Sequence, residues 1–173
     1  MAELTPALAK AVTDQVTLEL KASLVYLQLA IELDHLDLPG MAGWMRAQSE
    51  EEQVHAAKFI QHALDRGHAP AIGAIEPEEL KADSPAELFE AALAHEEKVS
   101  AAIRELYRTA QSEGDLDILP LLHWFIDEQV EEEASVGQVV AQLRLIGDDG
   151  AGLLRMDAKL GERSPEITPD HED

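Results

Sequence analysis

Apolar residues recur every three or four positions from Pro6 to His35, where Leu8, Val12, Val16, Leu20, Leu24, Leu27 and Ile31 trace one stripe, and this spacing predicts a long amphipathic helix. The pattern halts at Leu38, Pro39 and Gly40. A second helix is expected after that punctuation, running to Asp65 and Arg66, with Gly67 as its stop. Helices joined by so short a break form an antiparallel hairpin. Residues 67–83 contain Pro70, Gly73 and Pro77; the stretch is too long for a local turn and fits a crossover along a bundle. Ser84, Pro85 and Glu87 then read as the N-cap, first-turn proline and capping-box glutamate of a third helix reaching about Ser112. Glu113, Gly114 and Asp115 interrupt it. A fourth helix is expected from about Leu116 to Ile146, where Pro120 is acceptable because it falls in the first turn or so. After Gly147, Asp148, Asp149 and Gly150, a short fifth helix from about Gly152 to Leu160 displays Leu153, Leu154, Met156 and Leu160. So few residues are marginal as an isolated helix, so this one needs a partner, with another subunit as one source.

The elements add up to an all-α fold: a four-helix bundle of two hairpins, a long crossover between the second and third helices, and a short C-terminal fifth helix. One domain is expected over residues 1–161. Residues 162–173 are acidic, contain proline and carry almost nothing apolar, so a disordered tail is expected there.

Composition narrows the chemistry. The 173 residues include 35 acidic against 13 basic side chains, a formal net charge of -22, which disfavours nucleic-acid backbones and favours cations. No cysteine is present, which removes disulfides, zinc-thiolate sites, iron-sulfur clusters and thiol catalysis, and leaves oxygen and imidazole ligands. The N-terminus lacks the basic start and apolar run of a signal peptide, and no apolar stretch approaches a membrane span, so the expectation is a cytoplasmic protein with no membrane partner.

The acids themselves are distributed in an informative way. Glu52 and His55 are three apart on the second helix and project from one face, where both can reach a single cation. Glu19 sits in the apolar stripe of the first helix and shares a face with Tyr26. Glu96 lies between the apolar positions Leu93 and Val99 on the third. On the fourth, Glu128 pairs with Glu131 and Glu132, and Gln129 with Glu132, at same-face spacings. Any one of these glutamates read alone is an ordinary solvated side chain. Four long helices each carrying an acid near the middle are instead the recipe for a metal pair inside a bundle.

In this combination the sequence resembles the non-haem ferritins, over nearly the whole chain from Leu4 to about Gly161. The resemblance rests on Leu18-Glu19-Leu20, Tyr26, Glu51-Glu52-Gln53-Val54-His55, Glu96, and the run from Trp124 to Glu132. It implies a ferritin-like bundle in which Glu19 and His55 bind one iron, Glu52 bridges, and Glu96 and Glu132 bind the second, with Gln129 alongside. A third iron position would fall on Glu51, Glu128 and Glu131, with Glu132 shared. Gln53 stands where bacterioferritins place the methionine that holds haem, and Gln129 to Glu132 lacks their second Glu-x-x-His, so no haem is expected. The cysteine-rich iron domain of rubrerythrins is absent, and the tail is acidic where the DNA-protecting miniferritins often carry basic ones.

The resemblance implies a ferroxidase that oxidises Fe(II) with dioxygen or peroxide and stores ferric mineral inside a hollow shell of twenty-four subunits. Tyr26 could supply an electron when the centre is partly loaded, with Trp124 assisting; for both aromatics the alternative is core packing. Two readings from other classes stay open: a diiron oxygenase with an organic substrate in an apolar pocket beside the metals, and a metal-free helical interaction module whose glutamates point outward.

Overall fold

Thr5 and Pro6 start the first helix as their chemistry requires: the Thr5 side chain accepts from the Leu8 N–H at 3.3 Å, and Pro6 opens the first turn. The computed structural model describes residues 3–77 and 82–162. It contains α1 (Pro6–His35), α2 (Pro39–Asp65), α3 (Pro85–Glu113), α4 (Leu119–Ile146) and α5 (Gly150–Leu160), with no strand among the described residues. The tail expected to be disordered lies, from residue 163 on, outside the described residues.

The boundaries differ from the sequence expectations in three places, each with a local cause. Pro39 and Gly40 belong to α2 rather than preceding it, because proline suits the first helical turn, where its missing N–H costs nothing. The fourth helix begins at Leu119 rather than near Leu116, because Asp115 Oδ1 accepts from the N–H groups of Asp117 and Ile118 (3.1 and 3.2 Å) and holds those residues in a turn. Asp149 caps α5 through the N–H groups of Ala151 and Gly152, so that helix starts at Gly150. Before α3, Ser84 caps as expected, its Oγ accepting from Glu87 N–H at 3.3 Å, while the Glu87 carboxylate accepts from Asp83 N–H at 2.7 Å, one residue before the N-cap that a capping box would use.

Packing follows the two-hairpin layout. α1 lies against α2 and α3, α3 against α4, and α5 against α2 and α4. α2 and α4 face each other across a wider gap, with no pair of their Cα atoms within 8 Å. Large side chains close it: Phe59 stacks on Phe125 with ring centroids 4.1 Å apart, and Gln48 reaches Glu132.

The apolar interior is divided in two. One cluster gathers Tyr26, Leu29 and Leu33 of α1 with Met41 and Met45 of α2, Phe89 of α3, Val140 of α4 and Met156 of α5. The other gathers Leu8, Val12 and Val16 of α1 with Phe59, Ile103, Leu122 and Phe125. The stripe expected on α1 is therefore only half right. Leu8, Val12 and Val16 are buried, but Leu24, Leu27 and Ile31 are exposed, and Val25, Tyr26, Leu29, Ala30 and Leu33 point inward instead. A strict step of four residues drifts around a helix of 3.6 residues per turn, so by the fourth turn the extrapolated stripe has left the core.

The short fifth helix finds support within its own chain. Its Met156 and Leu160 are buried in the first cluster, and Asp157 Oδ1 accepts from the Met41 N–H at 2.8 Å, supplying α2 with the cap that Leu38 cannot provide. Gly40 makes this approach possible, since a Cβ at that position would lie 2.0 Å from the Asp157 carbonyl oxygen. We expect Gly40→Ala to force α5 off α2 and to lower stability by about 1–3 kcal/mol. Thermal unfolding, with limited proteolysis near residue 150, measures both effects; an unchanged midpoint and an uncut α5 would show the contact to be dispensable.

Candidate metal centre

Between the two apolar clusters lies a layer of buried polar side chains, to which every long helix contributes. α1 brings Gln15 and Glu19, α2 brings Gln48, Glu52 and His55, α3 brings Glu96 and Ser100, and α4 brings Gln129 and Glu132, all buried. Glu19, Glu52 and Glu96 are each 0% exposed, which contradicts the outward-pointing glutamates of a metal-free interaction module. Ligand atoms of Glu19, Glu52 and His55 lie within 4.8 Å of one another. His55 Nδ1 and Glu52 Oε2 are 3.5 Å apart, and neither has a hydrogen-bond partner. Two ligands each about 2.1 Å from one cation are separated by about 3.0–3.5 Å, so the pair already has the spacing of a shared ion.

Hydrogen bonds orient the remaining carboxylates. Gln15 Nε2 donates to Glu19 Oε1 at 2.7 Å, and Gln48 Nε2 donates across the α2–α4 gap to Glu132 Oε2 at 2.7 Å. On Glu96, Oε1 accepts a short bond from the Tyr26 hydroxyl and Oε2 accepts from Gln129 Nε2 at 3.0 Å. Glu52 differs. No amide or hydroxyl reaches either of its buried oxygens, nor Glu19 Oε2 or Gln129 Oε1, and the contact that remains to Glu52 is the neighbouring Glu19 carboxyl, whose proton the two share. A buried acceptor left without a donor carries a desolvation penalty, and here such acceptors cluster. The His55 ring is set edge-on against Trp124 and Phe125, at centroid distances of 5.6 and 5.5 Å, which fixes its plane.

Burial also shifts the titration of the layer. Desolvation holds Glu19 and Glu52 well above the usual carboxylate range, reinforced for Glu19 by the charge of Glu52 and for Glu52 by that of Glu96. Glu96 is raised by burial in spite of its bonds from Tyr26 and Gln129, and Glu132 is raised to about 7 by burial, then by Glu96 and Glu51. Burial and the neighbouring Glu96 likewise push the Tyr26 hydroxyl up. A cation placed among these groups reverses the argument, because it stabilises the ionised forms that burial penalises.

The other sequence-predicted residues are placed less uniformly. Tyr26 is fully buried beside Trp44 with its hydroxyl on Glu96, and Trp124 is half-buried with Lys58 Nζ 4.6 Å from its ring centroid. Glu51 and Glu128 are half-buried and Glu131 is exposed. The charge of Glu51 is felt at Glu52 and Glu132, which puts it beside the centre, but the compact ligand group among the described residues is Glu19, Glu52 and His55. Sequence reasoning missed Gln15, Gln48 and Ser100. Gln15 had a signal, being one turn before Glu19, whereas Gln48 and Ser100 act on a different helix from their own.

The sequence pattern of the ferritin-like domain family matches residues 9–146. The chain belongs to the ferritin family. It is 30% identical over 157 residues to the bacterial non-heme ferritin of Escherichia coli O6:H1, covering 91% of this chain and 95% of that protein. It is 32% identical over 156 residues to the bacterial non-heme ferritin of Bacteroides fragilis strain 638R, covering 90% and 97%. Among solved structures, the open pore ferritin of Archaeoglobus fulgidus superposes with a TM-score of 0.91 at 36% identity, over 94% of this chain and 100% of that one. No helix of this ferritin, among the described residues, is long and apolar enough to cross a membrane.

One consequence of the raised carboxylates can be measured without iron. The folded ferritin binds more protons than the unfolded chain above the usual carboxylate range, so its stability falls as those protons leave. For Glu132 the contribution is complete below that range and is lost as pH rises through about 7. Chelator-treated protein should therefore melt at a lower temperature at about pH 8 than at about pH 6, and added Zn(II) should reverse the loss. A midpoint that rises over this interval in the metal-free protein would contradict the assignment.

Proposed function

We propose that this ferritin oxidises Fe(II) at a metal pair held by Glu19, Glu52, His55, Glu96 and Glu132, and stores the ferric product as mineral inside a closed shell of twenty-four copies. The observation that carries the reading is the buried layer itself: all four long helices bury a carboxylate in it, Glu19 and Glu52 group with His55, and several buried acceptor atoms lack amide or hydroxyl donors. Iron is the substrate here and dioxygen or peroxide the electron acceptor. Two Fe(II) ions give one electron each to dioxygen, which takes up two protons to become hydrogen peroxide.

The protein's own groups do the positioning. Glu52 has both oxygens open and bridges the pair, Glu19 and His55 complete one position, and Glu96 and Glu132 complete the other, with Gln129 alongside. Tyr26, whose hydroxyl already touches Glu96, is the donor of an extra electron when the pair is incompletely filled, with Trp124 against His55 assisting. Glu51, Glu128 and Glu131 form an auxiliary third position that takes ferric product from the pair. The net charge of -22 favours cation accumulation on the way to mineral, and the reading puts the protein in the cytoplasm, without haem, nucleic acid or membrane partner.

A single series of stopped-flow measurements, mixing iron-free protein with Fe(II) and air, tests the pair and the third position together. Outer-shell changes at metal sites cost about 10–100-fold, so loss of a ligand in Glu52→Ala or His55→Ala should slow the first oxidation burst by about 100-fold or more. The Glu128→Ala, Glu131→Ala double variant should keep a normal first burst and slow over repeated additions. Wild-type first bursts in the two single variants would remove the pair from these residues; wild-type behaviour of the double variant through several additions would return Glu128 and Glu131 to the acidic surface.

The shell is read independently. Size exclusion with light scattering should give a particle of about twenty-four chains, since homo-oligomers close by symmetry. A monomer or dimer at every concentration, with and without iron, would rule out mineral storage.

A further inference from the structure

Gln129 is held from outside the metal centre by a chain of contacts that leads to the surface. Its amide nitrogen faces three acceptors: Glu96 Oε2 at 3.0 Å, Ser100 Oγ at 3.2 Å and the Glu96 carbonyl oxygen at 3.4 Å. A serine hydroxyl has one hydrogen, and that of Ser100 is directed to Glu133 Oε1 in a short bond. Ser100 Oγ can therefore offer Gln129 only a lone pair, and the amide must turn its NH2 toward Ser100. Its carbonyl oxygen is then left on the other side, buried and without a protein donor. Glu133 is anchored in turn by Arg104, 3.7 Å away, at the exposed end of the chain.

We infer that Ser100 and Glu133 are positioning residues that lock the orientation of the Gln129 amide, so that its carbonyl oxygen is presented as an acceptor to a cation, or to cation-bound water, in the pair. The inference deepens the proposed function and rests on it. Glu96 alone does not secure this orientation. Both of its carboxylate oxygens are also candidate ligands, so a carboxylate that turns to a cation loosens its grip on Gln129, and its fixed carbonyl oxygen, at 3.4 Å, is the most distant of the three acceptors. Ser100 holds no such second office: its hydrogen is committed to Glu133, so its lone pair stays available to the amide whichever way Glu96 turns. Without the Glu133 carboxylate, the hydroxyl could rotate and donate to Gln129 Oε1, and the amide could flip. The lock therefore needs both residues, and removing either should have the same effect as removing both.

Co(II) titration of the iron-free protein tests this without turnover, because the visible absorption of Co(II) reports coordination number and geometry at the pair. Ser100→Ala and Glu133→Ala are each expected to weaken the second Co(II) by about tenfold or more and to alter its spectrum. The double variant should be no worse than either single one. Ser100→Thr, which keeps the hydroxyl, should restore the wild-type titration. Glu133 is partly exposed, so Glu133→Ala carries the test if Ser100→Ala does not fold, as judged by circular dichroism. Wild-type affinity and spectrum in both alanine variants would overturn the lock while leaving the pair intact, and so would a Ser100→Thr variant that behaves like Ser100→Ala. A wild-type protein that binds no Co(II) at the centre would overturn the proposed metal pair, and the lock with it.

Discussion

Carboxylates enclosed between two hydrophobic clusters, and reached by neutral donors, form the constraint on which this molecule turns. Glu19, Glu52 and Glu96 are completely buried and Glu132 nearly so. Removing a carboxylate from water is costly unless it is paired, hydrogen-bonded or neutralised. The donors that reach these groups are the amides of Gln15, Gln48 and Gln129 and the phenol of Tyr26. Each fixes an oxygen in place without cancelling its charge. A lysine or arginine in the same position would satisfy the carboxylate and also remove the reason for a cation to enter. The layer is thus ordered and still incomplete, and its raised pKa values express that incompleteness as bound protons.

The rest of the bundle makes such a layer tolerable. Apolar clusters on either side supply the burial that offsets it, and each draws on all four long helices, so the layer cannot open without disturbing packing at both ends. α1 and α2 approach closely where Ser49 Oγ donates to the Ser23 carbonyl at 2.8 Å, while α2 and α4 stand apart and leave room for side chains to meet across the gap. The ends are tied separately. At one, Asp157 of α5 caps α2; at the other, the buried Arg66 makes two bonds to Asp115, at 3.1 and 2.6 Å, joining the end of α2 to the α3–α4 turn. A two-pronged buried pair of this kind fixes geometry as well as contributing energy.

What could be read from the chain and what could not divide along the range of the interactions. Helix existence, the hairpins and the N-cap at Ser84 are local, and they emerge where expected. The Glu52 and His55 spacing and the Gln129 and Glu132 spacing likewise predict shared faces within one helix, and both pairs are buried together. The misread face of α1 at Leu24, Leu27 and Ile31 came from extending a four-residue step beyond the turns over which it is valid. The intramolecular support of α5 depends on Gly40 and Asp157, residues more than a hundred positions apart whose contact no pattern announces. Gln48 and Ser100 were invisible for the same reason. A glutamine or serine on a helix is unremarkable until the residue on the opposite helix is known.

In the proposed pair, geometry makes the two positions unequal before iron arrives. A cation entering the proposed position at Glu19, Glu52 and His55 meets four buried ligand atoms that no amide or hydroxyl engages: Glu19 Oε2, both Glu52 oxygens and His55 Nδ1. One entering at Glu96 and Glu132 meets both Glu96 oxygens and Glu132 Oε2 already engaged by Tyr26, Gln129 and Gln48. The first position needs loss of protons and little rearrangement, whereas the second needs those hydrogen bonds to be shared or exchanged as well. Filling the proposed second position therefore depends on side chains that are not ligands, and under the inferred lock the orientation of Gln129, held from Ser100 and Glu133, sets whether an acceptor or a donor faces the incoming charge.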